Sequence, residues 1–125
     1  MAPADTPLLR ASGVSKRFGG LRALNDVSIN VFRGEIFGLI GPNGAGKTTL
    51  FNVLTGLYAA DAGTVTFDGA AIGGLPPHRI AQQGIARTFQ NIRLFGSMNT
   101  LENVMVGRHP RTRAGVLGAV LRTRA

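Results

Sequence analysis

The sequence predicts a mixed α/β fold, and three stretches carry that expectation. A nearly continuous apolar run, Glu35 to Ile40, has the character of a strand buried on both faces. It passes through a glycine-rich break, Gly41 to Gly46, into Lys47 to Thr55, where Leu50 and Leu54 share one helical face. On either side of this strand, loop and helix the pattern turns antiparallel. Val27, Ile29 and Val31 alternate with Asp26, Ser28 and Asn30, and Thr64 to Phe67 runs into a tight Asp68-Gly69 turn.

Taken in order, Leu8 to Val14 reads as a short strand and Lys16 to Gly20 as a basic loop with a glycine turn. Leu24 to Val31 follows as a half-buried strand, and Arg33-Gly34 turns the chain into the apolar run. Gly56 is placed to stop the helix, because glycine takes the left-handed position there without a Cβ penalty. The Asp68-Gly69 turn returns the chain into Ala70 to Ile72 as a hairpin. Pro76 and Pro77 suit a helix start, so His78 to Gln83 is expected to be a short helix ended by Gly84. Ile85 to Phe89 is again strand-like. Asn99, with Glu102 three residues on, forms a capping-box pair for a helix through Leu101, Val104 and Met105.

Composition bounds the possibilities. With 44% hydrophobic and 16% charged residues over 125 positions, the chain suits one small folded domain rather than disorder. The 18 glycines exceed the usual ~7% usage and show no collagen-like period, which makes them marks of tight turns. Cysteine is absent, so disulfides and thiolate metal sites are excluded, as suits a reducing compartment. Met1 to Asp5 lacks the basic start and apolar stretch of a signal peptide, and no apolar run approaches the ~20 residues of a membrane span; the expectation is a cytoplasmic chain. The net charge is +8, but Arg108, Arg111, Arg113, Arg122 and Arg124 all lie beyond the last acid, Glu102. No aromatic residue is interleaved with them for base stacking, so no nucleic-acid partner is expected.

The chemistry concentrates at Gly41-Pro42-Asn43-Gly44-Ala45-Gly46-Lys47-Thr48, which fits G-x-x-x-x-G-K-[ST] in full. Gly44 and Gly46 let the backbone fold around an anion with successive N–H groups turned inward. A helix beginning near Lys47 adds its positive N-terminal end. Lys47 is placed for the β- and γ-phosphates, the Thr48 hydroxyl for Mg2+, and Thr49 for the α-phosphate side. The loop specifies a nucleoside triphosphate without specifying which class of enzyme uses it. His78 and His109 are isolated histidines with no ligand partners nearby in sequence, and we read them as incidental.

The wider wording resembles ABC-type ATPases. Gly41 to Leu50 is similar to that family's phosphate loop, and Arg87-Thr88-Phe89-Gln90 resembles its Q-loop, at a distance from Lys47 that the family shows. Phe18 corresponds to the aromatic of the A-loop, which in the family stacks on adenine. Gly63-Thr64-Val65 and Asp68-Gly69 are similar to its hairpin. Arg17 to Leu21, Arg87 to Phe95, and the Gly107 to Thr123 stretch look like the subunits of branched-chain amino acid importers. The resemblance implies ATP and Mg2+ as ligands, with Gly41 to Thr49 and Phe18 binding nucleotide. Lys47 and Gln90 would be catalytic, and Thr48 and Gln90 would hold the metal. On the residues alone, Phe18 is equally a packing aromatic and Gln90 a surface amide.

The same resemblance implies partners: membrane permease subunits and a second ATP-binding subunit, on the inner face of the cell membrane. It places residues 1–95 in the ATPase core and 96–125 at the start of a helical subdomain. The family's signature segment, Walker B aspartate, neighbouring glutamate and switch histidine do not occur in these residues, and Glu102 is the only carboxylate after Gln90. Two expectations follow: binding of Mg-ATP without turnover, and an Ile36 to Ile40 segment left partly unpaired and unburied. A non-catalytic nucleotide-binding module and a basic nucleic-acid binder are the competing readings. A GTPase is disfavoured because no Asn-Lys-x-Asp motif follows the loop.

Overall fold

The computed structural model describes residues 6–89, 91 and 93–108. The chain divides into two compact units, Met1–Ala86 and Arg87–Ala125.

In the first unit a four-stranded antiparallel sheet forms from β1 (Leu9–Phe18), β2 (Leu21–Val31), β3 (Ala62–Phe67) and β4 (Ala70–Ala71), in the order β2-β1-β3-β4. The alternation read from β2 holds: Val27, Ile29 and Val31 are half-buried while Asp26, Ser28 and Asn30 are exposed. Asp68 and Gly69 both take positive φ, 49° and 81°, the backbone that a two-residue hairpin turn requires. That turn sets Phe67 opposite Ala70 and Thr66 opposite Ala71.

Strand β1 is longer than its hydrophobic pattern indicates. The expected loop at Lys16 to Gly20 is only a two-residue turn at Gly19-Gly20, with Phe18 opposite Leu21. The strand continues because the β1–β2 register slips at three places instead of breaking. Gly13 (φ 62°) lies within the first irregularity and Asp26 (φ 53°) within the second, where left-handed backbone accommodates an extra residue. Gly63 passes so close to β1 that a Cβ there would stand 2.4 Å from the Gly13 carbonyl oxygen.

Helix α1 (Lys47–Leu54) and helix α2 (Pro77–Gln83) supply the other side of the core. Leu50, Val53 and Leu54 of α1, at i, i+3 and i+4, pack with Ile80 of α2 against Ala11, Val14, Leu24, Val65 and Ile72. Each of the leucine, valine and isoleucine side chains contributes about 1.5–3 kcal/mol by burial. Gly56 ends α1 at φ 85°; Leu57 N–H donates to the Asn52 carbonyl at 2.8 Å and Gly56 N–H to that of Val53 at 3.3 Å, which satisfies the last helical carbonyls. Pro77 begins α2 and Gly84 (φ 117°) closes it.

Two expected strands are not formed. Glu35 to Ile40 and Ile85 to Phe89 have no sheet partner among the described residues. A strand of the doubly buried kind needs a neighbouring ladder and a layer over each face. Instead Ile36 is 100% and Ile40 98% exposed, and only Leu39 of this run packs against the core. The expectation that the run is unburied is met, and the expectation that it is a strand is not.

In the second unit the Arg87 guanidinium lies 4.8 Å from the centre of the Phe89 ring. Helix α3 (Thr100–Arg108) starts on the expected capping box: Asn99 N–H donates to Glu102 Oε2 at 2.8 Å and Glu102 N–H donates to Asn99 Oδ1 at 2.9 Å. Among the described residues no helix is long and apolar enough to cross a membrane.

Candidate functional site

The phosphate loop leaves the exposed run at Gly41 and enters α1 through Gly46, whose φ is 96°. Only glycine fits there, because a Cβ would stand 2.5 Å from the Ala23 carbonyl oxygen and 3.1 Å from Leu24 Cδ2. The β2 backbone therefore presses directly on the start of α1. Gly44 also takes positive φ, 87°, and Ala45 N–H closes a turn onto the Pro42 carbonyl at 3.1 Å. No side chain caps α1 and no acid lies in its first turn. Its first N–H groups remain available to an anion, with the helix dipole favouring negative charge. The Lys47 ammonium donates to the Gly41 carbonyl, spanning the loop from its last residues to its first.

These residues line a cleft of about 440 Å3 together with one wall of the β1–β2 hairpin: Phe18, Leu21, Arg22, Ala23, Asn43, Gly44, Gly46, Lys47, Thr48 and Thr49. Phe18 and the loop, far apart in sequence, thus share one space. Lys47 and Arg22 are its cationic residues and no acid is among them. Arg22 was not singled out by the sequence; its guanidinium is steadied by Asn25 Oδ1 at 3.0 Å. The described acids mostly serve local structure. Glu35 accepts from Phe32 N–H, Asp61 from Arg17 N–H and Lys16, Asp68 from Arg33, and Glu102 from Asn99 N–H.

Phe18 is 40% exposed and so available to a ligand. Its ring meets Tyr58 edge-on, with centroids 5.1 Å apart and planes at 70°. Tyr58 carried no sequence signal linking it to Phe18. Thr48 is exposed and Thr49 half-buried at the head of α1. His78 is exposed on α2 and does not line the cleft. Gln90 and His109 lie outside the described residues.

The residues present suit a Mg-nucleotide. A loop with left-handed backbone at Gly44 and Gly46, uncapped helical N–H groups, a lysine and a threonine hydroxyl are a donor set for phosphate oxygens and for a metal that binds chiefly through phosphates and water. Fold and loop together define a phosphate-loop nucleotide-binding protein of the α/β class.

Comparison with known proteins narrows that class. The family model described as ABC transporter matches residues 24–123, and the chain belongs to that family. It is 47% identical over 119 residues to the high-affinity branched-chain amino acid transport ATP-binding protein BraF of Pseudomonas aeruginosa, covering 95% of this chain and 47% of that protein. It is 46% identical over 117 residues to LivG of Escherichia coli K12, a protein of the same description, covering 94% and 46%. Among solved structures it is similar to the ADP conformation of an ATP-binding cassette of an ABC transporter, with 37% identity, TM-score 0.75, and coverage of 95% of this chain and 46% of that one. The chain thus spans about half the length of the curated relatives it matches.

Proposed function

We propose that this chain is the nucleotide-binding part of an ABC transporter ATPase subunit, and that the complete subunit powers uptake of branched-chain or related amino acids. The observation that carries the nucleotide reading is the single cleft shared by Phe18 and the Gly41–Thr49 loop. The relatives described as branched-chain amino acid transport proteins support the choice of solute.

In this reading the base stacks on Phe18, and the phosphates lie in the nest formed by Gly41 to Gly46. The Lys47 ammonium would exchange the Gly41 carbonyl for β- and γ-phosphate oxygens, the Thr48 hydroxyl would hold Mg2+, and Thr49 would steady the α-phosphate side. Mg2+, when bound, neutralises phosphate charge and fixes the phosphate geometry. Gln90 would complete the metal's surroundings and sense the permease. We assign residues 1–95 to the ATPase core and 96–125 to the start of a helical subdomain. The subunit works on the inner face of the membrane with permease subunits and a second ATP-binding subunit, as suits a family in which a bacterial cassette, 26% identical at TM-score 0.74, was solved as a dimer.

A narrower reading applies to residues 1–125 by themselves, which bind Mg-ATP without turning it over. No described carboxylate lines the cleft, and Glu102 is committed to capping α3, so no described acid is placed to activate water. Calorimetric titration with Mg-ATP, alongside a phosphate-release assay, tests both points. The expected outcome is binding that Lys47→Ala abolishes, with no multiple-turnover phosphate release. Lys47-dependent turnover would overturn the narrower reading, and unchanged binding by Lys47→Ala would overturn the site. For the solute, loss of labelled leucine uptake in cells lacking the gene is expected; intact leucine uptake would refute that assignment.

A further inference from the structure

We propose that Tyr58 is a positioning residue for the base end of the cleft: with Asp61 it sets the plane of the Phe18 ring, and through α1 it ties that ring to the phosphate loop. The inference deepens the reading above and rests on Phe18 being the platform for the base.

The contact geometry comes first. The two rings meet at 5.1 Å and 70°, an arrangement in which the positive rim of one ring faces the negative face of the other. Both are 40% exposed, so burial alone does not fix either. Tyr58 is absent from the cleft lining, which means that it holds Phe18 from outside the space a nucleotide would fill.

The second observation is a clasp on β1 beside Phe18. Asp61 accepts from the Arg17 N–H at 2.7 Å with one oxygen and from Lys16 Nζ at 3.4 Å with the other. That same ammonium lies 5.4 Å from the Phe18 ring centre. Residues 58 to 61 therefore fix the strand on which Phe18 stands as well as the ring itself.

The third observation is where this grip is anchored. The Asn52 carbonyl of α1 accepts from the N–H groups of Leu57 and Tyr58 at 2.8 and 3.2 Å. One end of α1 carries the phosphate cradle and the other carries the turn that aims the aromatic ring. A base and a triphosphate are covalently linked in one ligand, so a stacking ring helps most when it is already held within that linkage's reach of the cradle. A phenyl ring free to change rotamer would lose that freedom on binding and weaken it.

The test compares binding of Mg-ATP with that of Mg-tripolyphosphate, which has the phosphates and no base. Tyr58→Ala is expected to weaken ATP about 2- to 10-fold and to leave tripolyphosphate unchanged. Tyr58→Phe is expected to restore ATP binding, since the contact is between the two rings. Adding Tyr58→Ala to Phe18→Ala should weaken ATP no further than Phe18→Ala alone. If Phe18→Ala weakens ATP and Tyr58→Ala does not, the positioning role is overturned while the platform reading stands. If Phe18→Ala has no effect, both fall. If Tyr58→Ala weakens tripolyphosphate as much as ATP, the residue supports the fold instead of aiming the ring, and the proposal is wrong.

Discussion

Val14 of β1 is fully buried, whereas Ile40, one residue ahead of the phosphate loop, is 98% exposed. Both are β-branched aliphatic residues, so residue type does not separate them. The difference lies in where their partners are. Val14 pairs with Val27 in the adjoining strand and belongs to the core that α1 and α2 complete. The segment from Glu35 to Ile40 asks for neighbours on two edges and two faces, and among the described residues only its Leu39 packs against the core. The antiparallel strands find their partners among the described residues, and the lead-in to the loop does not.

That contrast can be broken most sharply by truncation on each side of it. Leu50→Ala, in the core under the sheet at 2% exposure, is expected to cost about 2–5 kcal/mol in urea unfolding. Ile40→Thr is expected to change stability by no more than about 0.5 kcal/mol while reducing self-association in analytical ultracentrifugation. A large loss from Ile40→Thr would mean that the lead-in is already packed, and the contrast would fail. Of intermediate size is Asn99→Ala, which removes one half of a reciprocal cap. It should cost the α3 helix about 1 kcal/mol, read as faster amide exchange in residues 100–103. The smallest effect concerns Asp61. The Arg17 N–H, followed by the Lys16 charge, holds its carboxyl below the ordinary 3.8. A lowered folded value gives stability that is complete above 3.8 and lost as pH falls through the folded value. Asp61→Asn should therefore flatten the acid limb of the stability curve below that pH and leave its slope at neutrality unchanged.

How much was legible follows the same division. The Asp68-Gly69 turn, the Asn99/Glu102 cap, the Gly56 and Gly84 helix ends and the phosphate loop are all chemistry between near neighbours, and each is where the residues placed it. The length of β1 was not legible, because the strand survives through register slips at Gly13 and Asp26 that an alternating pattern cannot register. The two absent strands were misread because an apolar run states what a segment would bury and not whether its partners are at hand. At the site, Phe18 and the loop could be set in one cleft by resemblance. Tyr58 could not be, since nothing in the spacing of an exposed tyrosine after a helix-stopping glycine connects it to a ring on another strand. Arg22 lay in a hairpin strand whose cleft-facing side emerges only once Gly46 is seen pressed against Ala23.

The bond from Lys47 to the Gly41 carbonyl has a consequence for how quickly this loop accepts a ligand. It acts as a latch that keeps the loop's two ends together before any phosphate arrives. In the proposed reading, a phosphate oxygen would replace the Gly41 carbonyl at the same ammonium. On that reading the on-rate is expected to be set more by diffusion and charge than by rearrangement of the backbone.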